Sequence, residues 1–277
     1  MAAIALPAAN GTARASGLPS TWDPSQASPP LSGAGSAFTA DTIDATNYLH
    51  SIIQTSGSFV EQLVLNIGGF QLNGQPVTAP GLDTTYGLYF AIDATGQQVA
   101  GKTTFNTLNI SLMADPGNND GTVSASIAGI SFSNTGPTGV ADDFILGTGS
   151  LLSASMAFNP VTKVRTAHYV ENFAPEPNET GFFGNFSPLL EVFLTTPPAA
   201  FQALPQPDGT TIILVNDGIA RADFVPEPAS IVLLVSGLLG LGVVHRRRTH
   251  AQRFRKPSGP SDEAGSAIAA PPASCSI

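Results

Sequence analysis

The chain has 277 residues, 42% of them hydrophobic and only 11% charged, with a formal net charge of −9, a balance that suits one sizeable core with flanking segments rather than a disordered or fibrous chain. The charge is unevenly placed: residues 1–244 carry a net −13 and residues 245–277 a net +4, so the body would repel polyanions and nucleic acid is excluded as its partner. The single cysteine, Cys275, lies in the basic end, which excludes disulfides, cysteine catalysis and a cysteine metal cage from the body.

In chain order, residues 1–15 read as a weak or remnant secretory signal. Residues 2–9 are apolar but broken by Pro7, no Lys or Arg precedes them, and Ala13-Arg14-Ala15 is the one small-x-small cleavage pattern. A complete signal would start upstream of Met1. Residues 16–37 are mostly Ser, Pro, Gly and Ala and read as a flexible leader with one aromatic anchor, Trp22.

From Phe38 onward, short runs of β-branched, aromatic and alternating residues recur, at 59–67, 86–93, 104–113, 122–132, 150–158, 164–170, 189–195, 211–215 and 220–225. Turn signals separate them, among them Asn73-Gly74, Pro80-Gly81, Thr95-Gly96, Asp120-Gly121, Gly136 after Asn134, and Asp208-Gly209. Residues 42–53 fit either a short helix, with Ile43, Tyr48, Leu49 and Ile52 near helical spacing, or an edge strand and turn. The expectation is an all-β fold over residues 38–225, a single β-sandwich or jelly-roll-like domain. No repeat of fixed period is present, which argues against a propeller or solenoid.

Candidate chemistry is sparse. Asp115, Asn118 and Asp120 bring oxygen ligands together with glycine turns, as a hard cation such as calcium prefers, and Asp142-Asp143 could join them from a neighbouring loop. The spacing is not that of an EF-hand, since Asp120 stands where the turn glycine belongs and Ser126 where the bidentate Glu belongs. A plain polar turn after Met113 fits the same residues. A serine triad would have to use His50 or His168, and residues 147–150 lack the second glycine of a nucleophile elbow. Glu171 and Glu176 would be the glycosidase pair, but a Pro-rich loop gives no reason for their spacing. Tyr86, Phe182, Phe183 and Phe186 are candidate ligand contacts if exposed and end plugs of the fold if buried.

The end of the chain is the most specific part. Pro226-Glu227-Pro228 is stiff and extended, residues 229–244 are uncharged and largely apolar, and His245 then leads into Arg246, Arg247 and Arg248. As a helix, those 16 residues span roughly 24 Å, a short transmembrane segment that snorkelling arginines and local thinning accommodate. The arginines act as a stop-transfer cluster that stays cytoplasmic, so the body lies outside.

This three-part order at residues 226–248 resembles the PEP-CTERM sorting signal of Gram-negative bacteria. The resemblance implies recognition by exosortase, a membrane-embedded cysteine transpeptidase, removal of the tail, and delivery from the inner membrane to the cell surface or extracellular matrix. A permanent anchor after a proline-rich linker is the plain alternative. Residues 249–277 extend past the usual stop of such signals and read as a disordered basic cytoplasmic tail. The body also resembles flocculation-associated PEP-CTERM proteins in residues 36–43, in Gly68-Gly69-Phe70-Gln71-Leu72 and in residues 86–91. That likeness implies a noncatalytic protein supporting flocculation or biofilm-type aggregation, with exopolysaccharide or other cell-surface components as partners and the membrane engaged transiently by the C-terminal helix. The competing class is an exported enzyme acting on exopolysaccharide.

Overall fold

The structure, a computed structural model, describes residues 17–100, 102–133, 142–159, 161–162 and 164–226. In chain order its strands are β1 (Ser20–Trp22), β2 (Phe38–Ala40), β3 (Thr42–Ile53), β4 (Ser58–Leu72), β5 (Gln75–Val77), β6 (Tyr86–Val99) and β7 (Lys102–Pro116). There follow β8 (Thr122–Ser126), β9 (Gly129–Ser133), β10 (Phe144–Phe158), β11 (Arg165–Pro175), β12 (Phe183–Gly184), β13 (Leu189–Thr196), β14 (Phe201–Pro205) and β15 (Thr211–Val225).

The eight long strands β3, β4, β6, β7, β10, β11, β13 and β15 each pair antiparallel with the next, and β15 returns to β3. The sheet therefore closes on itself as an up-and-down barrel. The all-β expectation holds, but the sandwich or jelly-roll expectation is corrected. Two stacked sheets would leave free edges, whereas β15 is paired on one side with β3, from Thr211↔Ile53 to Ala222↔Ile43, and on the other with β13 and β14. Alternation of apolar and polar residues is the same in a barrel wall and a sandwich layer, so only this pairing between distant segments separates the two.

Residues 42–53 form a twelve-residue wall strand, neither a helix nor an edge. The run at 122–132 is two strands, the β8–β9 hairpin, and the runs at 211–215 and 220–225 are one strand with a register shift between Val215 and Gly218. Asn73-Gly74 turns β4 into β5 with φ of 53° and 74°, the left-handed pair a tight hairpin requires. Thr95-Gly96, by contrast, lies inside β6 at a bulge, and a Cβ on Gly96 would stand 2.5 Å from the Phe59 ring.

Every second residue of the wall points inward: Leu63, Leu65 and Ile67 of β4, and Leu108, Ile110 and Leu112 of β7, are all at most 2% exposed. Outside, the β8–β9 hairpin covers part of the wall, with Val123 packed with Val64 and Tyr89. One barrel end is filled by aromatic rings. Trp22 lies 4.9 Å from Phe70, 5.5 Å from Phe183 and 5.8 Å from both Phe182 and Phe224. Residues 17–37, expected to be a flexible leader, are thus packed on the barrel: β1 pairs with β2 and β12, and Trp22, Ala27 and Leu31 are buried. Ser, Pro and Gly dilute their apolar content without removing the one ring that anchors them. Among the described residues no helix is long and apolar enough to cross a membrane. The sorting segment from Glu227 onward, the expected membrane span at 229–244, the tail at 249–277 and the signal remnant at 1–15 lie outside the described residues.

Candidate functional site

Two groups of buried polar side chains stand out, one on the outer face of the barrel and one inside it. The first is built on the end of β7. Asp115 occupies an outward-facing position there, opposite Gly87 of β6. The chain then turns through Gly117 and Asn118, at φ of 105° and 49°, and brings Asp120 back toward Asp115 just before β8. Asp143, immediately before β10, completes the group: carboxylate oxygens of Asp115, Asp120 and Asp143 all lie within 4.8 Å of one another.

Asp115 is 2% exposed and Asp120 6%. The backbone N–H groups of Asn119 and Asp120 donate to Asp115, each at 3.2 Å, and the Tyr89 hydroxyl donates to Asp143. Neither oxygen of Asp120 meets a hydrogen-bond donor. Burial, and then the charges of Asp143 and Asp115, push the Asp120 carboxyl up to about 7. Asp143 is also raised, chiefly by burial. Two facing carboxylates in such a place need either a shared proton or a cation.

Of the sequence candidates, Asp115 and Asp120 are thus brought together and Asp143 joins them. Asn118 stands beside them without being one of the three: a Cβ on Gly87 would lie 3.1 Å from Asn118 Oδ1 and 3.3 Å from Asp115 Oδ2. Asp142 is held to one side, where Asn119 Nδ2 donates to its Oδ2 at 3.2 Å.

The second group lies inside the barrel. Glu61 of β4 and Glu171 of β11 are 3% and 0% exposed, and the Tyr169 hydroxyl donates to Glu61 at 3.2 Å. Glu61, Tyr169, Arg165, Asn47 and Met156 line a narrow cavity. Burial raises the Glu61 carboxyl to about 7 against the lowering by Tyr169 and Arg165, and burial alone raises Glu171 to about 8. Glu171 meets no donor on either oxygen. Gly149 leaves it room, since a Cβ there would lie 3.2 Å from its Oε2. Sequence reasoning missed Glu61 as a site residue and sought a partner for Glu171 at Glu176. The signal was available in the alternation itself, because Glu61 falls in phase with Phe59, Leu63 and Leu65, and Glu171 with Ala167, Tyr169 and Phe173, the buried positions of their strands.

The other candidates disperse. Tyr86 and Phe182 are fully buried and Phe183 is 5% exposed, so these rings fill the barrel end and are not ligand contacts; Phe186 is half-buried against Phe183 and Phe224. His50 and His168 sit on strands that are not neighbours, and His168 stacks on Phe193 at 4.3 Å with Glu191 3.8 Å away. Residues 147–150 lie within β10, where a Cβ on Gly147 would meet the Phe173 ring at 2.5 Å, a packing role for that glycine. Pro226 is the last described residue; Glu227, Pro228, Arg246, Arg247 and Arg248 lie outside the described residues. Compared with known proteins, the chain matches no family model, no curated protein and no solved structure.

Proposed function

We propose that this chain is an exported, noncatalytic protein of the cell surface or extracellular matrix, sorted and cut by exosortase and supporting flocculation or biofilm-type aggregation. The observation that carries the reading is the order at residues 226–248: Pro226-Glu227-Pro228, an uncharged span, then Arg246, Arg247 and Arg248. The position of the barrel supports it. The strand that closes the wall, β15, ends at Val225, immediately before the motif. A cut at the motif would release the barrel whole, without removing a single paired residue. Partners on this reading are exosortase and the membrane during sorting, then exopolysaccharide or other cell-surface components.

The alternative, an exported enzyme acting on exopolysaccharide, draws on Glu61 and Glu171, whose raised carboxyls are the kind of acid that glycoside hydrolysis uses. Their burial at 3% and 0% exposure weighs against it, because a sugar chain has to touch the acid that protonates it. Intact-mass measurement of the protein released from exosortase-positive cells tests the sorting reading. A mature form ending at about Pro228 is expected, and a released form that keeps residues 229–244 would overturn it. In a clean deletion strain, cell aggregation should weaken with no hydrolytic activity lost; normal flocculation would count against the matrix role.

A further inference from the structure

We propose that Asp115, Asp120 and Asp143 form a calcium site that clips both ends of the β8–β9 excursion to the outer wall of the barrel. Two independent features carry this. First, the three oxygens lie within 4.8 Å of one another. Oxygens on opposite sides of one calcium ion, at about 2.3–2.6 Å each, stand roughly 4.6–5.2 Å apart, so all three fit one such ion. Second, Asp120 is 94% buried, turned toward Asp115 and Asp143, with no donor on either oxygen. A carboxylate buried without a donor is costly, and a bound cation removes that cost.

The donor set selects the kind of ion. It is all oxygen, which excludes the soft metals that seek thiolate or imidazole. Calcium takes about six to eight oxygens in adaptable geometry, so three carboxylates leave positions for water. The wall opposite is kept clear by Gly87, where a Cβ would stand 3.3 Å from Asp115 Oδ2. Tyr89 holds Asp143 from the neighbouring wall strand β6 by donating its hydroxyl.

The placement explains what such an ion would do. Asp115 belongs to the wall strand β7, Asp120 leads into β8, and Asp143 leads into β10. One ion on all three ties the start of β8 and the start of β10 to the end of β7. The hairpin's own apolar anchorage is small, centred on Val123 with Ile130 and Phe132, so the clip would govern how firmly the hairpin covers Val64 and Tyr89.

The test is calcium titration of the chelator-treated full chain, followed by calorimetry and thermal unfolding, with Asp120→Asn and Asp143→Asn beside the wild type. One equivalent of calcium should bind, and at a hundredfold excess over Kd the Tm should rise by about 5–10 °C. Both variants should lose the stoichiometric heat and the Tm rise while keeping the wild-type far-UV spectrum. Asp120→Asn imitates a protonated Asp120, so it folds whether or not an ion is the native partner. A wild-type Tm unmoved by millimolar calcium, with Asp120→Asn more stable in chelator, would mean that the carboxylates share a proton and would overturn the site. So would calcium binding of wild-type strength in Asp120→Asn.

Discussion

Glu171 has no donor on either carboxylate oxygen and is 0% exposed, so the barrel accommodates it as the neutral acid. Its folded value of about 8 is raised from an ordinary 4.5 by burial. A group raised in this way costs nothing below 4.5, where both folded and unfolded chains hold the proton. Between 4.5 and about 8 the unfolded chain releases the proton while the folded one must keep it, so stability falls with rising pH at roughly 1.4 kcal/mol per pH unit. Glu61, raised to about 7, adds a shorter stretch of the same slope. Glu171→Gln is therefore expected to be more stable than wild type at pH 8 and about equal to it at pH 5. Urea unfolding at the two pH values checks this, and a difference that does not change with pH would remove the linkage. That these two residues are interior was legible in the strand alternation. That Tyr169 would reach Glu61 from a strand 108 positions away was not, because no local pattern encodes which wall faces which.

Among the elements, β1 and the Phe182-Phe183 stretch show how short segments can matter more than their length. Trp22 is 1% exposed and its ring meets those of Phe70, Phe182, Phe183 and Phe224. The four partner rings come from three separate segments, so Trp22 joins the leading residues to β4, β15 and the segment around β12. Trp22→Ala should cost about 3–5 kcal/mol, the usual loss for emptying a packed aromatic site. Thermal unfolding would measure it, and a loss below about 1 kcal/mol would mean that the leading segment is dispensable. Most wall strands were legible because alternation and turn chemistry agree along them, as at Asn73-Gly74. Residues 216–218, Asn-Asp-Gly, look like a turn, and Asp217 does take a left-handed φ of 66°, yet they form only a bulge within β15, because pairing with β3 on one side and with β13 and β14 on the other resumes beyond the register shift. Tertiary pairing overrides the local signal there.

At the level of the whole molecule, closure makes the last strand indispensable. β15 joins residues 211–222 to residues 42–53, the first wall strand, so the circle is completed only by the end of the body. Without β15, the edges of β3 and β13 would present unpaired N–H and C=O groups, the state in which sheets associate with one another. A chain ending at Thr210 should consequently fail to fold and should aggregate. A chain ending at Pro228 retains every strand through Val225 and should keep the far-UV spectrum and Tm of the full chain. Size-exclusion chromatography with circular dichroism on the two truncations distinguishes these outcomes. If the Pro228 form unfolded, the barrel would depend on the segment that the sorting signal is expected to discard, and the tail would have to be a permanent part of the protein. If it folds unchanged, the barrel stands without the segment that follows the motif, as the proposed release from the membrane requires.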